Sequence, residues 1–158
     1  MLGTAVTDPL RSESDLVRAD GLRLLPIETE LAPSKCLALA RGRVHHDLAG
    51  VWRSMSGAPV EGYEIHLGRT LHQSDVTPLL DLDSGPDGVV SADGAVAGTY
   101  VHGLLEQPGP RQALLRALAA ARGFRWQPDA TPPRDAYDAL ADVLEHSLRL
   151  EPLLMSRP

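Results

Sequence analysis

Two histidines stand in apolar stretches, each followed closely by glycine: His66 in 60-VEGYEIHLGRT-70 and His102 in 98-GTYVHGLLE-106. Imidazole titrates at about 6.5, so it can take up and return a proton near neutral pH. His102 ends what reads as a strand, and in open α/β sheets ligands bind beyond the carboxyl ends of strands. It reads either as a general base or as a strand-end residue that closes a loop. Glu64 and His66 lie two apart, so in a strand they share one face, with Tyr63, Ile65 and Leu67 on the other. The Glu64–His66 pair can orient a ligand or one another. It also fits the polar outer face of an edge strand.

The other chemically capable side chains carry less. Cys36 is the only thiol, and a lone cysteine in a chain with histidines is a candidate nucleophile. It opens an apolar strand pattern with no glycine-lined elbow, which favours a small buried hydrophobe. His45 and His46 are adjacent and point to opposite faces of a strand, which spoils them as a joint metal pair. No Cys, His and Asp spacing fits zinc, so no metal is expected in this chain. Neither a GxSxG elbow nor a phosphate-cradling glycine loop is present.

The elements that must hold these residues can be read in outline. MLGTAVTDP, at the start, shows no strand or helix of its own. Residues 22–31 read as an extended segment interrupted by Pro26. Residues 36–44 alternate as a strand, Gly57 to Pro59 form a turn, and residues 60–67 alternate again. Turn signals on both sides of Val89 and Val90, in residues 81–94, predict a hairpin. Residues 95–102 read as one strand, apolar on both faces and so covered on both sides. Two amphipathic helices follow. The first is 111–123, with Pro110 at its start and Gly123 at its end. The second is 134–150, striped by Tyr137, Leu140, Val143, Leu144 and Leu148. Strands followed by helices indicate an α/β or α+β domain with a mixed sheet over residues 1–150, and a tail at 151–158.

Bulk properties narrow the function. The 158 residues suit one domain with a real core. A formal net charge of −6, with scattered arginines and Lys35 the sole lysine, argues against a nucleic-acid partner. No apolar run reaches the roughly 20 residues that span a bilayer, so no membrane partner is expected. The first residues do not read as a signal peptide. One cysteine fits a reducing cytoplasm.

Taken together, the segments resemble the C-terminal glutaminase domain of the cobyric acid synthase family. The matching pieces are 1-MLG-3 with 7-TDP-9, 21-GLRLLPIET-29, 60-VEGYEIHLGRT-70, 87-DG-88, 98-GTYVHGLLE-106 and 134-RDAYDALADVLEHSL-148. They run in the family's order along nearly the whole chain. The family usually has methionine where this chain has Leu67, and leucine and phenylalanine in place of Val101 and Leu105, which are mild apolar exchanges. The resemblance implies a class I glutamine amidotransferase-like, flavodoxin-like three-layer domain with a mixed sheet. It also implies a cysteine–histidine chemistry. A thiolate attacks the side-chain amide of glutamine, and a histidine activates the thiol and protonates the departing ammonia. The ammonia then passes to an ATP- and magnesium-dependent synthetase domain that amidates corrinoid carboxylates in cobalamin biosynthesis.

That resemblance places the catalytic histidine on His102 and leaves Tyr63, Glu64 and His66 as candidates for substrate contact or a pocket role. Leu104 stands where many triad glutaminases have glutamate, in keeping with a Cys–His pair, so Glu106 is not promoted. The family's nucleophile, in a glycine-rich elbow read as Cys-Gly-Gly-Tyr-Gln, falls just before the segment matching 1-MLG-3, and Cys36 does not occupy that position. The chain therefore reads as an N-terminally truncated domain, with ATP and magnesium implied only for the synthetase domain it lacks. Two further functions follow from the same residues. One is a catalytically dead relic or binding module that associates with a synthetase or glutaminase partner. The other is an independent hydrolase that pairs Cys36 with His102.

Overall fold

A computed structural model describes residues 1–72, 75–128 and 135–147. The chain divides into two compact units, Met1–Trp126 and Gln127–Pro158. The first is built on a mixed sheet. Its strands are β1 (Ala5–Thr7), β2 (Arg18–Asp20), β3 (Ile27–Val44), β4 (Pro59–His72), β5 (Leu80–Leu82), β6 (Gly85–Asp87) and β9 (Val101–His102). The backbone order is β2-β1-β3-β4-β9, and β5 joins β3 and pairs with β6. Only β1 and β3 run parallel; the other ladders are antiparallel. A second, two-stranded sheet pairs β7 (Val89–Val90) with β8 (Ala97–Gly98).

The long β3–β4 ladder is the scaffold. It breaks once: Leu31 faces Gly68 and Cys36 faces His66, so Ala32, Pro33, Ser34 and Lys35 have no ladder partner on β4. Pro33 has no N–H to give a ladder, which is why the slack collects around it. The three extra residues reverse which β3 positions point inward, since side chains alternate with a period of two. Before the break Thr29 and Leu31 share a face with Thr70 and Gly68; after it Cys36, Ala38 and Ala40 share that face with His66, Glu64 and Gly62.

The core lies on that same side of the sheet. Ala40, Val44, Val60, Leu80, Leu82 and Val101 pack with Leu48, Met55, Leu104 and Leu114 into one apolar cluster. Leu48 and Met55 come from the loop and the 3-10 helix Gly50–Met55. Leu114 comes from α1 (Pro108–Ala121), which has Pro108 in its first turn, where a missing N–H costs nothing. At the other end of the sheet, the Asp8 carboxylate accepts amide hydrogens from Ser12, Glu13 and Ser14 and so holds the loop between β1 and β2. Those amides, led by that of Glu13, lower its pKa against the opposing effect of desolvation. In the second unit the described helix is α2 (Ala136–Ser147). The remainder of the expected second helix, with Leu148, and the tail at 151–158 lie outside the described residues.

Several expectations need correction. The first residues do carry a strand: β1 lies between β2 and β3. The expected hairpin of residues 81–94 is two features: a β5–β6 hairpin, and β7 paired onward to β8. Residues 95–102 are not one strand covered on both faces. They split into β8 and β9, in different sheets, and His102 is exposed. Thr99 causes the split. Its hydroxyl donates to Asp87 and accepts the N–H of Val101, and such local bonds compete with a ladder.

Candidate functional site

Strand β4 carries the candidate residues, and the alternation of its side chains sorts them onto two faces. Tyr63 lies opposite Leu39 on one side and His102 on the other; Glu64 lies opposite Ala38 and Val101. Residues directly opposite one another share a face. Hence Leu37, Leu39, Tyr63, Ile65 and His102 form one face, and Cys36, Glu64 and His66 belong to the other.

The His102 face is open. Leu37 and Leu39 are 77% and 81% exposed, Tyr63 43% and Ile65 49%. His102 ends β9 just before Gly103, whose φ of +85° is a left-handed conformation that glycine adopts without strain. The Tyr63 and His102 rings stack nearly parallel, with centroids 5.0 Å apart and planes at 6°. Among the described residues no hydrogen bond holds the His102 side chain, so the tyrosine face is its orienting contact. The backbone beneath is fixed more firmly. A Cβ on Gly62 would come 2.2 Å from the carbonyl oxygen of His102, so only glycine lets β9 lie this close to β4. The Gln107 amide donates to the Glu61 carbonyl at 3.2 Å. Arg111 of α1 donates to the carbonyls of Leu105 and Glu106 at 3.1 and 2.7 Å, which pins the turn after the histidine.

The other face is largely covered. A cavity of about 990 Å³ is bounded by Thr29, Glu64, His66, Gly68 and Thr70 of the sheet and by Met1–Gly3, Gly88–Val89 and Gly98–Tyr100. The imidazole of His66 lies 3.9 Å from the Tyr100 ring, with planes at 12°. Its Nδ1–H donates to the Gly68 carbonyl at 2.7 Å, and Thr70 donates to the Tyr100 hydroxyl at 2.9 Å. Glu64 and His66 side chains are only 13% and 20% exposed, so they are not the solvent face of an edge strand, and β4 is itself flanked by β3 and β9.

The candidates thus fall into two sets rather than one. Tyr63 joins His102, and Glu64 joins His66. Cys36 is half-buried on the Glu64–His66 face, opposite His66 and on the far side of the sheet from His102, which removes the independent Cys36–His102 hydrolase. His45 makes a bond of 2.8 Å to Asp81, apart from both sets. Gly62, Thr70 and Tyr100 were missed in the sequence. Only the glycine left a signal there, as a break in an otherwise apolar strand. Among the described residues no group of three or more His, Cys, Asp or Glu side chains gathers to hold a metal, and no helix is long and apolar enough to cross a membrane.

Comparison with known proteins gives a consistent family. The CobB/CobQ-like glutamine amidotransferase domain matches residues 1–110. Cobyric acid synthase of Caulobacter sp. (strain K31) is 45% identical over 155 residues, which cover 96% of this chain and 29% of that protein. The cobyric acid synthases of Methylocella silvestris and Rhodobacter capsulatus are 43% and 41% identical, each over 98% of this chain and 30% of theirs. The chain therefore spans under a third of the length of the curated relatives it matches.

Proposed function

The chain belongs to the CobB/CobQ-like glutamine amidotransferase family, and from that premise we propose that it supplies the histidine half of a glutamine-hydrolysing site. That site would release ammonia for the amidation of corrinoid carboxylates by a cobyric acid synthase. The observation that carries this reading is the position of His102. It ends β9, its ring is exposed, and the apolar face around it is uncovered.

The chemistry assigned to His102 is proton transfer. A thiol presented over this face by another stretch of polypeptide gives its proton to the imidazole and attacks the carbonyl carbon of the glutamine side chain. As the C–N bond breaks, the imidazolium returns that proton to the departing ammonia. The imidazole next takes a proton from water, which hydrolyses the thioester to glutamate and restores the thiol. The thiol is not Cys36, which faces the other way. Tyr63 keeps the ring oriented by stacking. We read the mixed sheet as part of a class I, flavodoxin-like three-layer domain that works in the cytoplasm. ATP and magnesium serve the synthetase portion of such an enzyme. No step within this chain is assigned to them.

The open apolar face also supports a second reading, a binding module that docks a synthetase or glutaminase partner without catalysis. A chimera separates the two. The matching segment of the Caulobacter cobyric acid synthase is replaced by this chain, and corrinoid amidation is followed with glutamine or with ammonium as nitrogen source. Activity with both is expected. Product from ammonium but none from glutamine would overturn the hydrolytic reading and leave the docking one.

A further inference from the structure

The covered face of β4 holds a second arrangement that proton transfer at His102 does not use. The Glu64 carboxylate is largely buried, and among the described residues it accepts no hydrogen bond. Its Oε1 lies 3.5 Å from His66 Nε2. A charge-assisted bond would be about 2.7–2.9 Å long. His66 Nε2 is itself buried and without a hydrogen-bond partner. Its orientation is explained from the other side of the ring: the Gly68 carbonyl can only accept, so Nδ1 carries a proton. The Glu64 carboxylate and the unpaired Nε2 thus stand together at the wall of a cavity. A buried ring nitrogen of this kind is normally satisfied.

We propose that this cavity binds an alkyl amine, a small molecule with a protonated amino group and an apolar body. The ammonium donates to Glu64, with His66 as the acceptor beside it and the Tyr100 ring stacked over the imidazole. The apolar body lies against Leu2, Leu25 and Val89, which line the same cavity. The volume suits a small ligand: pockets for such molecules run from roughly 300 to 1,000 Å³ and are mostly apolar with a few convergent polar groups. An anion is disfavoured by the carboxylate. A bare metal ion would find fewer than three ligands of the usual types. The site lies on the opposite face of β4 from His102, and it does not depend on the glutaminase reading.

The test is a titration of the full chain, followed by two-dimensional amide spectra, with n-butylammonium, ammonium and butyrate as probes. Saturable shifts confined to residues around Glu64, His66 and Tyr100 are expected with n-butylammonium. It should bind at least about tenfold more tightly than ammonium, because each buried methylene adds favourable transfer free energy. Glu64→Gln should weaken that binding at least about tenfold, since a buried ammonium then loses its counter-charge. Glu64→Asp, which keeps the charge, should recover part of the loss, and a dispersed spectrum identifies variants that remain folded. Four results would overturn the proposal: equal binding of butyrate, equal binding of ammonium, shifts that do not saturate, or unchanged binding in a folded Glu64→Gln chain. Imidazole nitrogen spectra provide an independent check. If both nitrogens of His66 carry protons in the free chain at neutral pH, the imidazolium already serves Glu64 and the proposal fails.

Discussion

Set side by side, the two faces of β4 invert the usual amphipathic strand. At the centre of β4 the odd positions, Tyr63 and Ile65, are apolar and exposed, between the charged Glu61 and Arg69, and the even positions, Glu64 and His66, are polar and half-buried. A strand that covered a core with its apolar face would do the reverse. The inversion shows that apolar character on the odd face is not there to stabilise this unit. The even face already closes over the core at Val60 and Val101 and over the cavity at Glu64 and His66. The odd face is left exposed, and His102 sits within it. The contrast is between an open face that carries His102 and a largely buried face that carries Glu64 and His66.

The largest effect that could break the contrast is catalytic. In the chimera, His102→Ala should lower glutamine-dependent amidation by about 10²–10⁴-fold, the usual contribution of a general acid–base group. The ammonium-dependent rate should stay within about twofold, since ammonia enters after the histidine has acted. Equal loss with both nitrogen sources would mean that His102 supports structure rather than proton transfer. The assignment of chemistry to the open face would then be wrong.

Stability gives the next test. Leu80 is fully buried, and Leu80→Ala should destabilise the chain by about 2–5 kcal/mol in urea unfolding. Leu39 on the open face is 81% exposed, and Leu39→Ala should change stability by no more than about 0.5 kcal/mol. If Leu39→Ala proves as costly as Leu80→Ala, the open face is covered in the chain as it folds, and the inversion disappears.

The limits of the sequence reading follow from the same geometry. The strands within 36–44 and 60–67, the turn at Gly57 and the helix expected from Pro110, which in the structure begins at Pro108, are local matters, written in alternation, glycine and proline. The division of Tyr63 and Ile65 from Glu64 and His66 was equally legible, because it needs only a period of two. Which face turns inward was not, because that depends on what packs against the sheet. The three-residue strands β1 and β2 are too short to show a period; β1 exists because β3 lies alongside it, and β2 because it pairs with β1. The split of residues 95–102 turns on one Thr99 hydroxyl, which finds Asp87 only in the folded chain. The opposed placement of Cys36 and His102 rests on register across three strands, which no local pattern encodes.

The smallest effect sharpens the contrast most finely, since it concerns one ring contact on the open face. Tyr63 and His102 are ladder partners as well as stacked rings, so the backbone places them together whatever the side chains do. If stacking orients the imidazole, Tyr63→Phe should leave the His102 ring resonances nearly where they are. Tyr63→Ala should release them from the aromatic ring current and broaden the range of ring orientations. An aromatic pair of this kind contributes about 0.5–1.5 kcal/mol, so the alanine variant should still fold. In the chimera the same change should lower the glutamine-dependent kcat while leaving KM close to its original value, because the ring is misaimed rather than the substrate released. A fall confined to KM would instead make Tyr63 a substrate contact. Unmoved His102 resonances in Tyr63→Ala would mean that the ladder alone aims the histidine, through the close approach that Gly62 permits.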